Sequence, residues 1–280
     1  MRLAEQNHKE ILTRILNEGY RDENPRPRYA DGAPAHTLSV NHVVTHYDLS
    51  RGQCPIITLR PIAWKSAVKE ILWIYQDASN SLELLEEHYG IRWWRDWESR
   101  DMPGTIGQRY GATVRQYDLM GRLLKGLKEN PYGRRHIMSL WQETDFQQSD
   151  GLMPCCYETL WNVRGEFLDM ALIQRSSDFA TAGVINELQY SALLMMVARH
   201  VGKKPGVFTH FNNNVQIYDR HVEQAKELIR REPVECQPRL VLNSEKSDFY
   251  SFTIEDFTLE DYPLERIKAQ NPQLSFELGI

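Results

Sequence analysis

Residues 153–156 read MPCC, and the adjacent thiols Cys155 and Cys156 are the first candidates for chemistry. Metal sites usually separate their cysteines and add a second pair or histidines. This doublet has neither, so no metal is expected. A thioredoxin-type redox motif also needs residues between its cysteines. Two readings stay open. One is a pair of packed thiols, since cysteine is among the most buried residue types. The other is a nucleophile whose thiolate a nearby cation stabilises. Arginines are available for that purpose. Arg134 and Arg135 close a helical pattern in the turn NPYGRR, Arg26 sits in an early polar loop, and Arg175 ends a strand pattern in QRSSD, beside Ser176 and Asp178. The residues before Arg175 are apolar on both strand faces, which predicts a partly buried guanidinium in need of an anion. That anion is either a carboxylate of the protein or a phosphate, which arginine grips through paired N–H donors.

Two polar residues fall inside apolar elements. Glu70 lies among Ile71, Leu72 and Trp73 in a helical pattern. It is either a surface carboxylate or a buried acid whose raised pKa suits proton transfer. Asn186 opens the most hydrophobic segment and is either a helix N-cap or an amide able to read the edge of a base such as uracil.

The elements that must position these groups follow from apolar spacing. A helix is predicted from about Ala4 to Leu16, ending at Gly19. Further helices cover residues 64–76, 81–90 and 116–130. Strands are expected at HTLSV, PIITL and HIMSLW, with TLWNV and EFLDMALIQ forming a hairpin around Arg164-Gly165. Residues 186–202 are apolar on most sides, which predicts a central buried helix; residues 221–231 form an outer one. RLVLN, FTLEDY and LSFELGI are late strands. The fold class is α+β, a single domain over residues 1–280 with one extended sheet.

The chain has 280 residues, 41% hydrophobic and 25% charged, enough to bury a core without disulfide staples. Its four irregularly placed cysteines suit a reducing cytoplasm. Net charge is −5, so no basic field attracts nucleic acid or an anionic membrane, and an anionic ligand must be met by local arginines. No apolar run suits a signal peptide or a membrane span.

Taken in order along nearly the whole chain, these stretches resemble the thymidylate synthases, folate-dependent enzymes. The resemblance rests on MPCC with Cys155, QRSSD, the Arg134-Arg135 pair, Asn186 after the QRSSD aspartate, Glu70 with Trp73, Trp94 and Trp97 in WWRDW, Tyr110-Gly111, and IYDRH with Tyr218. The spellings DGAPAHTLSV and CQPRLVLN are similar to forms found in Gram-positive bacteria. The resemblance implies that dUMP is methylated to dTMP, with 5,10-methylenetetrahydrofolate supplying both the carbon and the hydride. Cys155 would add to C6, turning C5 into an enolate-like nucleophile, and Tyr110 or a Glu70–Asn186 network would relay the C5 proton. Arg26, Arg175 and Ser176 would hold the phosphate, with Arg134 and Arg135 reaching in from the other subunit of a homodimer whose interface is the large mixed sheet. Asn186 would bind the base, Gln216 and Tyr218 the sugar, and Asp178 the pterin, also lying within reach of the nucleotide. Trp94 and Trp97 would line the folate site. The C-terminal end, near Ile280, would close over the site, and Arg60 stands where relatives hold that tail.

Four positions depart from the family pattern: Cys156 and Gln216 each replace a histidine, Asn214 replaces an aspartate, and DFATAGVIN lacks the usual spelling. Gln216 predicts altered sugar recognition without loss of activity. The resemblance also admits a nucleotide hydroxymethylase, in which water replaces hydride. Outside it stand a Cys/His hydrolase, using His136, His200, His210 or His221, and a non-catalytic nucleotide or RNA-binding module, which the negative charge disfavours.

Overall fold

Ala4, Ile11, Leu12 and Ile15 share one face of the first helical run and are buried together. In the computed structural model, which describes residues 1–243 and 245–279, that run is α1 (Leu3–Glu18), closed where the Gly19 N–H bonds the Ile15 carbonyl. The chain passes through β1 (Tyr20–Arg21) into β2 (Thr37–Asp48), so HTLSV opens a strand of 12 residues. PIITL is not a strand. Ile56, Ile57 and Leu59 are buried, but the Thr58 N–H bonds the Glu5 carboxylate at 3.1 Å. Side chains satisfy this segment where a ladder was expected.

α2 (Trp64–Ile71) runs into a π-helical turn at Leu72–Gln76. α3 (Leu82–Glu87), α4 (Gly111–Gln116) and α5 (Leu119–Glu129) follow, then β3 (Ile137–Ser139) and α6 (Glu143–Gln148). β4 (Cys156–Arg164) and β5 (Phe167–Asp178) form the expected hairpin. A second π-helical turn (Phe179–Gly183) leads into α7 (Val184–His200), the central buried helix. Its start at Val184 puts Asn186 inside the first turn, so Asn186 is not the N-cap.

α7 crosses over to β6 (Lys204–Tyr218), the longest strand, which sequence spacing did not reveal. The main sheet has the order β1-β2-β6-β5-β4-β3, with β5 and β6 parallel and the other pairs antiparallel. α8 (Val222–Arg230) lies against α1. The expected single sheet is corrected in its last third. β7 (Arg239–Leu242) and β8 (Phe257–Glu260) pair as a separate two-stranded sheet, α9 (Leu264–Gln270) follows, and residues 274–279 of LSFELGI form no strand. The mixed α+β architecture matches the expectation.

Candidate active site

The β4–β5 hairpin places Cys155 beside Arg175. The Arg175 N–H bonds the Cys155 carbonyl at 2.9 Å, and Cys156 pairs in register with Gln174. No carboxylate among the described residues pairs with the guanidinium. Arg175 Nε bonds the Pro154 carbonyl at 3.0 Å and Nη2 the Met153 carbonyl at 2.7 Å, which leaves Nη2 3.6 Å from Cys155 Sγ. The carbonyls of MPCC thus aim a permanent charge at the thiol. Burial raises the Cys155 pKa and Arg175 opposes the rise. The Cys156 thiol is buried and pushed well above its ordinary value, first by burial and then by Cys155 and Glu70. The doublet therefore divides into one thiol with a cation and one packed thiol. No histidine among the described residues hydrogen-bonds Cys155; His136, His200, His210 and His221 are engaged with Asn130, Phe249, Gln174 and Glu277.

The Cys155 N–H donates to the Tyr110 hydroxyl at 3.1 Å, leaving the phenolic hydrogen free to donate. Tyr110 has φ 48° and precedes Gly111, where an added Cβ would lie 2.0 Å from the Ser79 carbonyl oxygen. Only glycine fits there. Burial holds the Tyr110 pKa well above the ordinary phenol.

Glu70 is buried on α2, not a surface carboxylate. Burial raises it to about 7, while hydrogen bonding, first from Trp93, opposes the rise. The Trp93 indole donates to Glu70 at 2.7 Å. Asn186 is bonded on both ends of its amide: Gln174 Nε2 donates to its Oδ1 at 3.2 Å, and its Nδ2 donates to Gln189 Oε1 at 2.9 Å. Trp93, Gln174 and Gln189 escaped the sequence reading. Gln174 stood in QRSSD itself, and its polar side chain on an apolar strand was the available signal.

Parallel pairing of β5 with β6 aligns Ser176 with Asn214 and Asp178 with Gln216, with Tyr218 at the end of β6. Asp178 Oδ1 is buried without a hydrogen bond, 3.9 Å from His221 Nδ1, and burial raises the Asp178 pKa while Thr181, His221 and Arg60 oppose the rise. Trp94 Nε1 is likewise unpartnered, with its ring 5.1 Å from that of Tyr110 and 5.9 Å from that of Trp97. A carboxylate oxygen and an indole donor without hydrogen bonds suit a heterocycle rich in N–H groups and ring acceptors. Ser176 and Gln216 are half-buried, and Arg26 is exposed but close enough for its charge to lower the Tyr218 pKa against burial. Arg134 and Arg135 are exposed, and among the described residues neither joins an ion pair.

The tail packs on this end of the sheet. The Tyr218 hydroxyl donates to the Gly279 carbonyl at 3.1 Å, and Arg220 grips Glu277 at 2.8 and 2.9 Å while also bonding Asp31. Arg60 bonds the Ala180 and Thr181 carbonyls and meets the tail through the Phe276 ring, 5.7 Å away. Ile280 lies outside the described residues.

A mixed sheet thus carries a cysteine beside a cation, a buried acid raised to about 7 and an amide bonded at both ends, an arrangement suited to an enzyme of covalent catalysis. A family model described as thymidylate synthase matches residues 6–272. A thymidylate synthase of Streptococcus pneumoniae (strain 70585) is 51% identical over 285 residues, covering 100% of both chains, and one of Streptococcus gordonii is 50% identical with the same coverage. The solved thermostable thymidylate synthase A from Bacillus subtilis superposes with a TM-score of 0.89 at 35% identity, covering 99% of each chain. The chain belongs to the thymidylate synthase family.

Proposed function

We propose that this protein, acting as one catalytic domain over residues 1–280, converts dUMP to dTMP with 5,10-methylenetetrahydrofolate as carbon and hydride donor. Membership of the family supports the reaction. The observation that carries the residue assignment is Arg175 held by two carbonyls with its Nη2 3.6 Å from Cys155 Sγ. Cys155 adds to C6, and the charge passes through C5 to the C4 carbonyl. C5 then attacks the donor's methylene carbon. The C5 proton leaves next, tetrahydrofolate departs, its hydride completes the methyl group, and Cys155 is expelled, leaving dTMP and dihydrofolate. The proton relay falls to Glu70, since an acid titrating at about 7 both accepts and gives a proton at neutral pH. Tyr110 keeps its proton there and serves as a hydrogen-bond donor.

Asn186 binds the base, Tyr218 and Gln216 the sugar, and Arg26, Arg175 and Ser176 the phosphate. Asp178 and Trp94, with their polar atoms free of hydrogen bonds, bind the pterin, with Trp97 beside them. Opening Tyr218 to the sugar requires the Gly279 contact to give way. Arg134 and Arg135 complete the phosphate site of a second copy, which makes the enzyme a homodimer; their exposure without ion pairs supports this. The half-exposed row of β5 that includes Ala171 and Ile173 supplies an apolar face for the pairing. No helix among the described residues is long and apolar enough to cross a membrane, and the free thiols suit a cytoplasmic enzyme.

Mass spectrometry of the protein with 5-fluoro-dUMP and the folate tests the nucleophile, because fluorine at C5 is not lost as a proton and the adduct persists. A Cys155→Ala variant that still forms the adduct overturns the assignment. Tetrahydrofolate release from dUMP without dihydrofolate would assign the chain to hydroxymethylation. Mixing inactive Cys155→Ala with inactive Arg134→Ala subunits restores activity if the arginines cross the interface; no recovery sinks that arrangement.

A further inference from the structure

A run of buried polar side chains leads inward from Asn186. Gln174 Nε2 bonds the Ser176 carbonyl at 2.9 Å and Asn186 Oδ1 at 3.2 Å, and Gln174 Oε1 lies 2.8 Å from His210 Nε2. His210 Nδ1 lies 3.6 Å from Glu187 Oε1. Glu187 accepts from the Thr45 hydroxyl at 2.6 Å and the Tyr47 hydroxyl at 3.0 Å. Gln174, His210, Glu187, Thr45 and Tyr47 are all buried. None of the steps above uses Glu187 or His210.

We propose that His210, held by Glu187, is a positioning residue that fixes the polarity of the Asn186 amide and thereby selects uracil over cytosine; this rests on the uracil reading of the site. A backbone carbonyl only accepts, so the Gln174 atom facing Ser176 is its N–H₂ group. The Gln174 oxygen therefore faces His210, whose Nε2 must carry a hydrogen. The same Gln174 N–H₂ group faces Asn186, which turns the Asn186 oxygen inward and commits its nitrogen to Gln189. Asn186 then keeps one N–H for a carbonyl and one lone pair for a ring N–H. Uracil offers that pair as O4 and N3–H. Cytosine offers an amino group and a bare N3, which would set donor against donor and acceptor against acceptor.

Glu187 supplies the far end. Thr45 and Tyr47 donate to its two oxygens, and Oε1 lies 3.6 Å from His210 Nδ1, so it holds the ring with Nε2 turned toward Gln174. Without the Nε2 hydrogen, Gln174 Oε1 becomes a buried acceptor with no donor, and the amide chain loses its inner anchor.

The test uses the whole enzyme with ¹⁵N-labelled histidine. The chain has nine histidines, and the signal missing in His210→Gln assigns the one of interest. A hydrogen on His210 Nε2 is expected in the wild type; a bare Nε2 overturns the proposal whatever the variants do. His210→Phe removes the donor, and the dUMP KM should rise about tenfold, the worth of one buried hydrogen bond, with a matching fall in the preference for dUMP over dCMP. His210→Gln restores an amide N–H at similar reach and should recover most of both. A folded His210→Phe enzyme with unchanged KM and preference overturns the proposal, as does a His210→Gln enzyme no better than His210→Phe. A wild type that carries the Nε2 hydrogen but does not turn over dUMP would instead sink the uracil reading and leave the side-chain chain in place.

Discussion

Glu70→Gln should stabilise the folded protein at alkaline pH while slowing its chemistry. Burial raises the Glu70 carboxyl from the ordinary 4.5 to about 7. Between those values the folded state keeps a proton that the unfolded chain has released, so its stability falls as pH rises through that window. Below the window both states are protonated and the carboxyl costs nothing. Above it the folded state carries a buried carboxylate, and the full cost is about 3 kcal/mol. Gln keeps an oxygen for the Trp93 indole but adds an amide N–H₂ group needing a partner, which returns about 1 kcal/mol of the gain. The net expectation is about 2 kcal/mol of added stability at about pH 8, or a Tm higher by about 4 °C, shrinking to zero or below at about pH 4. Urea unfolding of wild type and variant, followed by tryptophan fluorescence across pH, gives the difference curve. The same variant should lose roughly a hundredfold in kcat, together with any limb of the pH–rate profile centred near the Glu70 value. A stability difference that does not change with pH, or one that favours the wild type most strongly at high pH, would refute the assignment of a desolvated acid at this position.

Arg175→Gln removes the charge opposing the rise in the Cys155 pKa. The thiol pKa then rises further, which lowers the thiolate fraction but regains part in nucleophilicity, so alkylation by iodoacetamide should slow about threefold at neutral pH; an unchanged rate would remove Arg175 as the activator. Gly111→Ala puts a methyl 2.0 Å from the Ser79 carbonyl oxygen, a backbone atom that cannot step aside. It should give an insoluble protein or a Tm lowered by more than about 5 °C, and a variant with wild-type Tm would contradict the close approach. Arg220→Ala deletes the exposed bridges to Glu277 and Asp31. Tm should hardly move, but carboxypeptidase should trim the C-terminus faster; equal trimming would mean that His221 and Gln224, which bond the Glu277 and Ser275 carbonyls, hold the tail unaided.

What the sequence showed and what it hid divide along one physical line. Features fixed by near neighbours were legible. The β4–β5 hairpin follows from two apolar runs around Arg164-Gly165, and the burial of α7 from apolar residues on most of its faces. Features fixed by distant chain were not. β6 contains Asn212, Asn213 and Asn214, residues that disfavour strands, yet β2 and β5 flank it and supply ladders on both edges. PIITL has strand composition but pairs with no strand among the described residues, and it bends at Thr58 and Leu59. The site shows the same division. Cys155 and Arg175 could be paired on sequence grounds, but the carbonyls of Met153 and Pro154, which hold the guanidinium where a carboxylate of the protein was one expectation, could not be read there. This matters for mechanism, because carbonyls leave the charge of Arg175 unneutralised where a carboxylate would have cancelled it. The full cation is then available to the thiolate and to an incoming phosphate. Glu70 follows the same reasoning from the opposite side. Its helical position was readable, but its proton affinity comes from the packing around it, and that packing makes a carboxyl on an ordinary amphipathic helix into an acid that works near neutrality.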